Sequence, residues 1–261
     1  MNTFPTDRSL TRRTALLAAL ALAPLPMHVR ANPAVRRIAI LSLIGDELSY
    51  VSRAMATGTR LSTNERNAAA VPDAAIDDLA VSAAERALAA RLPAAERLRF
   101  SIRDKRLFTL QDRLLESGSD SDGLRDSLKK LLAESQATHL LLITKRRDDA
   151  RFRLDTRWAG AGKLDGVGFY LDENERLRAA NSAEVVTGYF GAFAYVSAHL
   201  VEAGTMEKLA SAPASETEIW TAHSTDAGRP WDALDGKQKA NSLQNVIIKA
   251  VTSATERVAA A

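Results

Sequence analysis

Thr138-His139-Leu140-Leu141-Leu142-Ile143-Thr144-Lys145 carries four consecutive apolar residues with no polar position between them. Neither side of such a segment is left for water, so it reads as a strand buried on both faces. It is far shorter than the roughly 20 residues a membrane-spanning helix requires. What flanks it therefore defines the fold.

Before it, Arg36 to Ile44 is a near-continuous β-type run closed by Gly45-Asp46, and Leu48 to Arg53 alternates as a hairpin partner for it. Residues 57–72 read as irregular, ending at Pro72. Asp73 is placed to cap a helix over 74–92, whose stripe is Ile76, Ala80, Ala83, Ala84, Ala87 and Leu88, and Pro93 stops it. Arg97 to Arg103 alternates as a half-wet strand, and Leu124, Leu128, Leu131 and Leu132 form the stripe of a second helix. The order is strand, helix, strand, helix, strand, as in a layered α/β arrangement.

After it, the period changes to two: Phe152, Leu154, Thr156 and Trp158 alternate with Arg151, Arg153, Asp155 and Arg157. Residues 160–172 read as a glycine-rich loop. A long strand over 190–201, a tight turn at Glu202-Ala203-Gly204-Thr205 and a returning strand from Met206 follow, with Glu218 to Ala222 adding to it. Leu243, Val246, Ile247, Ala250, Val251, Ala254 and Val258 then mark a closing helix over about 236–258. The expected fold is α/β (α+β): a mixed sheet, antiparallel in its second half, with the C-terminal helix packed on it.

Arg8, Arg12 and Arg13 precede the apolar run Ala15–Ala23, and Val29 and Ala31 fit a small-residue cleavage rule. Residues 1–31 are thus expected to be an export leader, cut near Ala31, with a single domain over 32–261 in the periplasm. The pair Arg12-Arg13 resembles a twin-arginine signal, with general secretion as the alternative. The chain has 35 basic and 32 acidic side chains, and the leader holds four Arg and one Asp, so the remainder has 31 of each. A neutral domain has no net field for nucleic acid. With no cysteine in the chain, thiol catalysis, Fe–S clusters, Cys-ligated zinc and the usual lipid anchor are ruled out.

No cofactor or metal is expected. Gly162-Lys163 lacks the preceding glycine and following Ser or Thr of a phosphate loop, having Arg157 and Leu164 there. No His pair has zinc spacing, no G-x-S-x-G elbow occurs, and Asp172-Glu173-Asn174-Glu175 lacks the pattern of a calcium loop. Adjacent acidic residues such as Asp148-Asp149 point apart on a strand. Lys145 to Arg157 forms a basic patch read as strand-face charge.

The binding candidates are Lys163, Asp165, Phe169, Tyr170, Tyr189 and Phe190, around the loop 160–172, with 44–60 as a second surface. Their aromatic character suits an apolar or protein partner. The competing class is a hydrolase-like enzyme whose site is assembled from His139, His199 and acidic residues at strand ends. Self-association into a homo-oligomer is left open.

Ile38–Ile44, Ala137–Thr144 and Ala198–Glu207 stand where three strands occur in two groups of exported bacterial domains. In element order the chain resembles the periplasmic domain of the curli-secretion channel lipoproteins and the penicillin-binding-protein activator lipoproteins. The resemblance implies an envelope-accessory fold. It transfers no residue roles, because the lipidated Cys is missing and the 44–72 connection has no counterpart.

Overall fold

The computed structural model describes residues 37–53, 64–71, 73–102, 104–115, 123–154, 157–178, 185–221 and 229–261. The chain divides into Met1–Ala34 and Val35–Ala261. All described residues belong to the second unit, so the expected leader and its cleavage site lie outside them.

In chain order the elements are β1 (Arg37–Leu43), β2 (Glu47–Arg53), β3 (Asn64–Ala70), α1 (Ala75–Arg91), β4 (Glu96–Phe100), α2 (Lys105–Thr109), α3 (Leu124–Glu134) and β5 (His139–Lys145). Four short strands follow: β6 (Arg147–Asp149), β7 (Phe152–Leu154), β8 (Arg157–Ala159) and β9 (Lys163–Asp165). Then come β10 (Val167–Arg178), β11 (Val185–Glu202), β12 (Lys208–Thr221), a 3-10 turn at Pro230–Ala233 and α4 (Gly236–Ala259). The fold is mixed α/β with α4 on the sheet, as the sequence predicts.

The large sheet has eight strands in the order β3-β2-β10-β11-β5-β1-β4, with β12 also on β11. Strand β11 organises it. Along one edge it pairs antiparallel with β10 up to Ala194 and with β5 from Val196 onward, while β12 runs along the other edge. The handover is at Tyr195, whose N–H donates to the Gly166 carbonyl (2.8 Å) and whose carbonyl accepts from the Arg146 N–H (3.0 Å). The sheet is thus forked, with β10-β2-β3 and β5-β1-β4 leaving the same edge. Where β1 passes to β2, the Asp77 carboxylate at the start of α1 accepts the N–H groups of Ile44 (3.0 Å) and Gly45 (3.2 Å). The chain leaves β1 sideways there, so Leu48–Arg53 pairs with β10 and β3, not with β1 as expected.

The four central apolar residues are fully buried and split between two cores. Leu141 and Ile143 face α1 and α4, and Leu140 and Leu142 face α2 and α3, as strand alternation requires. At roughly 1.5–3 kcal/mol per buried large aliphatic side chain, this strand is a principal anchor of both layers. The alanine stripe of α1 packs against Ala250, Ala254 and the sheet, small side chains allowing close approach. Helix α4 starts with a capping box between Asp235 and Gln238. Asp73 is not the cap of α1; Ala74 holds that position without a side-chain bond.

Two further expectations fail. Residues 64–70, read as irregular, form β3, an exposed strand whose sequence has no apolar alternation and which exists through its pairing with β2. Residues 160–172, read as a loop, contain β9 and the first half of β10. Gly162 (φ 73) and Gly166 (φ 64) do take up left-handed turns, but Gly168 lies inside β10, where a Cβ would collide with the Ser49 carbonyl. That glycine lets two backbones approach. The alternating stretch 152–158 is a hairpin, β7–β8, with residues 155–156 outside the described set.

Candidate functional site

On the face that carries α4, β2 presents Tyr50 and Ser52 and β10 presents Phe169, Leu171 and Glu173, one residue in two. The 3-10 turn ahead of α4 sets Trp231 edge-on to Phe190 (ring centroids 5.1 Å, 89°) and to Phe169 (5.8 Å, 88°). Tyr50 completes the group at 5.8 Å from Phe169 and 5.9 Å from Trp231. Lys239, one turn into α4, places its ammonium 4.1 Å from the Trp231 ring centre, a cation–π contact of about 0.5–2 kcal/mol. The indole is thus held by aromatic rings and a cation.

Beyond Trp231 no described residue covers the sheet. An open cleft of about 320 Å³ results, walled by Tyr50, Phe169, Leu171 and Trp231 and rimmed by Ser52, Asn67, Glu173, Arg229 and Asp232. Aromatic walls with a few polar groups at the mouth are the usual chemistry of a small-ligand site, and the volume is at the lower end of the ~300–1,000 Å³ such sites have.

The opposite face of the same strands is closed. Phe152 stacks on Tyr170 (4.9 Å, 29°) and tilts against Tyr189 (5.6 Å), with Phe193, Tyr195 and Leu164 completing a sealed cluster. The cover is the excursion β6–β9, tied down by Tyr195, whose hydroxyl donates to the Asp149 carbonyl (3.0 Å) and accepts from the Arg151 N–H (3.1 Å). Gly191 makes room, since a Cβ there would meet the Phe152 ring at 2.5 Å. Burial pushes the Tyr170 phenol up to about 12 and that of Tyr189 higher still. At this cluster's edge the fully buried Asp172 accepts from Arg53 (2.8 Å), which also reaches Glu175 (3.1 Å). Asp172 further accepts the N–H groups of Asn174 and Glu175 (3.0 Å each), fixing an irregularity in the β10–β11 register.

The six sequence candidates therefore go to three places. Phe169 walls the open cleft and Phe190 supports Trp231 from beneath. Tyr170 and Tyr189 are inside the sealed cluster. Lys163 and Asp165 lie on β9, Lys163 paired with Asp149 at 2.6 Å and Asp165 lining a separate cleft at the fork. Tyr50 and Leu171 lie in the two stretches named as surfaces, 44–60 and 160–172, though not among the six, and residues 54–60 lie outside the described residues; Arg229 and Trp231 are in neither stretch. Trp231 stands in Gly228-Arg229-Pro230-Trp231, a stretch that reads as loop; its one signal was an indole beside a proline ahead of a helix.

The two histidines do not converge. His139 is opposite Glu202 and on the face of Leu141, whereas His199 is opposite Leu142 on the other face. The His199 ring is bonded to Thr144 Oγ1 through Nε2 (3.1 Å) and to Ser211 Oγ through Nδ1 (2.9 Å). Burial lowers its pKa to about 4, so it is neutral at ordinary pH. His139 is lowered by burial too and bonds Thr138 Oγ1 at 2.9 Å. Neither ring is bonded to a carboxylate among the described residues. The fork cleft, about 620 Å³, is lined by charges of both signs, and its Lys145 is held by Asp46 (2.5 Å) and Glu47 (3.4 Å). Among the described residues no group of three His, Asp or Glu is arranged to hold a metal, and no helix is long and apolar enough to cross a membrane.

No protein-family profile matches the chain, and no curated protein matches it in sequence. Solved structures similar to it include the PelC dodecamer from Paraburkholderia phytofirmans, at 12% identity and TM-score 0.30 over 87% of this chain and 91% of that one. The LpoB C-terminal domain from Salmonella enterica is similar at 12% and 0.25 over 72% and 87%. Lipoprotein GNA1162 from Neisseria meningitidis is similar at 10% and 0.28 over 74% and 88%. At these scores the likeness is one of outline, and the functional reading rests on the cleft itself.

Proposed function

We propose that this chain is an exported, non-catalytic binding or accessory protein of the cell envelope, and that it takes an apolar or aromatic group into the Tyr50–Phe169–Trp231 cleft. The carrying observation is that one aromatic cluster on the sheet is left open while its counterpart on the other face is sealed. A half-exposed cluster of this kind costs solvation in the free protein and recovers it when an apolar group is seated there. Arg229, Asp232 and Glu173 at the rim orient a ligand that keeps a polar end in water. Residues 1–31 carry the export signal, and the periplasm is the compartment this reading requires.

The test uses 1-anilinonaphthalene-8-sulfonate, whose fused rings suit the walls and whose sulfonate suits Arg229. Saturable binding to the folded protein is expected, weakened by about tenfold in Trp231→Ala with unchanged circular dichroism. Equal binding by that variant would overturn the assignment. Cell fractionation of the full chain tests export, and continued export with Arg12→Lys and Arg13→Lys together would reject the twin-arginine route.

A further inference from the structure

Trp158, on β8, is 63% exposed, in a chain whose other large aromatic side chains are mostly packed away. It is directly across from Arg153 in the β7–β8 pair. The hairpin that carries it is firmly seated: Phe152 and Ala159 sink into the sealed cluster, and the Arg151 carbonyl accepts from Thr217 Oγ1 (3.3 Å) on β12. The indole is held out on a rigid support.

Trp158 overlooks a cleft of about 440 Å³ between this hairpin and β12, which also presents Arg151, Arg153, Asp149, Glu216 and Thr217. Arg153 and Glu216 have no ion-pair partner among the described residues, and Arg151 meets Asp149 only at 3.9 Å. Donors and acceptors are therefore interleaved around one flat apolar surface, and the charges nearly cancel. A polyanion, a polycation or an anionic bilayer would each favour a single sign. A pyranose ring has the matching chemistry: one face of C–H groups that stacks on an indole, and an equatorial rim of hydroxyls that each donate and accept.

We propose that this cleft is a carbohydrate-binding subsite in which Trp158 stacks on a sugar ring while Arg153 and Glu216 bond its hydroxyls. It is separate from the Tyr50–Phe169–Trp231 cleft and does not depend on it. The test is titration of the folded protein with soluble neutral oligosaccharides of glucose, galactose and N-acetylglucosamine, read by the Trp158 indole N–H resonance and by calorimetry. At least one series is expected to bind at millimolar or better strength. Trp158→Ala should weaken it by about tenfold or more, Trp158→Tyr should retain most of it, and Trp231→Ala should leave it unchanged. The proposal is overturned if no oligosaccharide shifts that resonance, if Trp158→Ala binds equally well, or if anionic phospholipid vesicles bind through Trp158 in place of sugars.

Discussion

Strands β10 and β11 carry aromatic residues on both faces, yet the two faces have opposite fates. Phe152, Tyr170 and Tyr189 are sealed beneath the β6–β9 excursion, whereas Tyr50, Phe169 and Trp231 border an open cleft. Adjacent aromatic residues, Phe169 and Tyr170, thus line an open cleft and a sealed core respectively. The difference comes from coverage: among the described residues α4 and its leading turn reach β2 only through the Trp231 ring on one side, while the excursion closes over the other. A ring's role is decided by what the chain lays on top of it.

The largest effect should come from breaking the sealed side. Phe152→Ala removes a fully buried ring and is expected to cost about 3–5 kcal/mol in denaturant unfolding, while the fraction still folded binds anilinonaphthalene sulfonate in the open cleft as before. A loss near that of a surface substitution would mean the excursion does not depend on this ring.

The polar fork between the two halves should register as a pH effect. With its folded pKa depressed to about 4 against an ordinary value near 6.5, His199 takes up a proton more readily in the unfolded chain. Its contribution is complete above about pH 6.5 and is lost as pH falls toward 4, by on the order of 2–3 kcal/mol once screening of its partly exposed ring is allowed for. His199→Gln should flatten the stability profile across that window, and an unchanged slope would assign the acid sensitivity elsewhere.

Trp231→Ala should give the smallest stability change of the three. Its indole is only half-buried, so about 1–2 kcal/mol is expected, and the binding loss should exceed the stability loss. If instead this variant unfolds as readily as Phe152→Ala, the open cluster is as structural as the sealed one.

Much of the scaffold was legible in the sequence because its signals are local. The 138–145 run, the leucine spacing from Leu124 and the stripe from Leu243 to Val258 each state a period that only one kind of element satisfies. Strand β3 was not legible, since Asn64 to Ala70 has no pattern of its own and is held by β2. The glycines of 160–168 conceal a strand because glycine marks both a turn, as at Gly166, and a close backbone approach, as at Gly168. For the candidate site, Phe169 and Phe190 could be chosen from composition, but alternation places Tyr170 and Tyr189 on the other face, and Trp231 is 62 residues beyond Phe169 and 41 beyond Phe190.

By itself the sequence determined the class of fold, the absence of cysteine, the even balance of 31 basic and 31 acidic side chains over residues 32–261 and the strand buried on both faces at 139–145, because composition and periodicity are properties of short segments. The fork at Tyr195, the sealing of one aromatic face and the opening of the other were decided only in three dimensions. Each depends on backbone bonds and coverage between segments far apart in the chain, and no local pattern encodes which of two equally apolar faces will be covered.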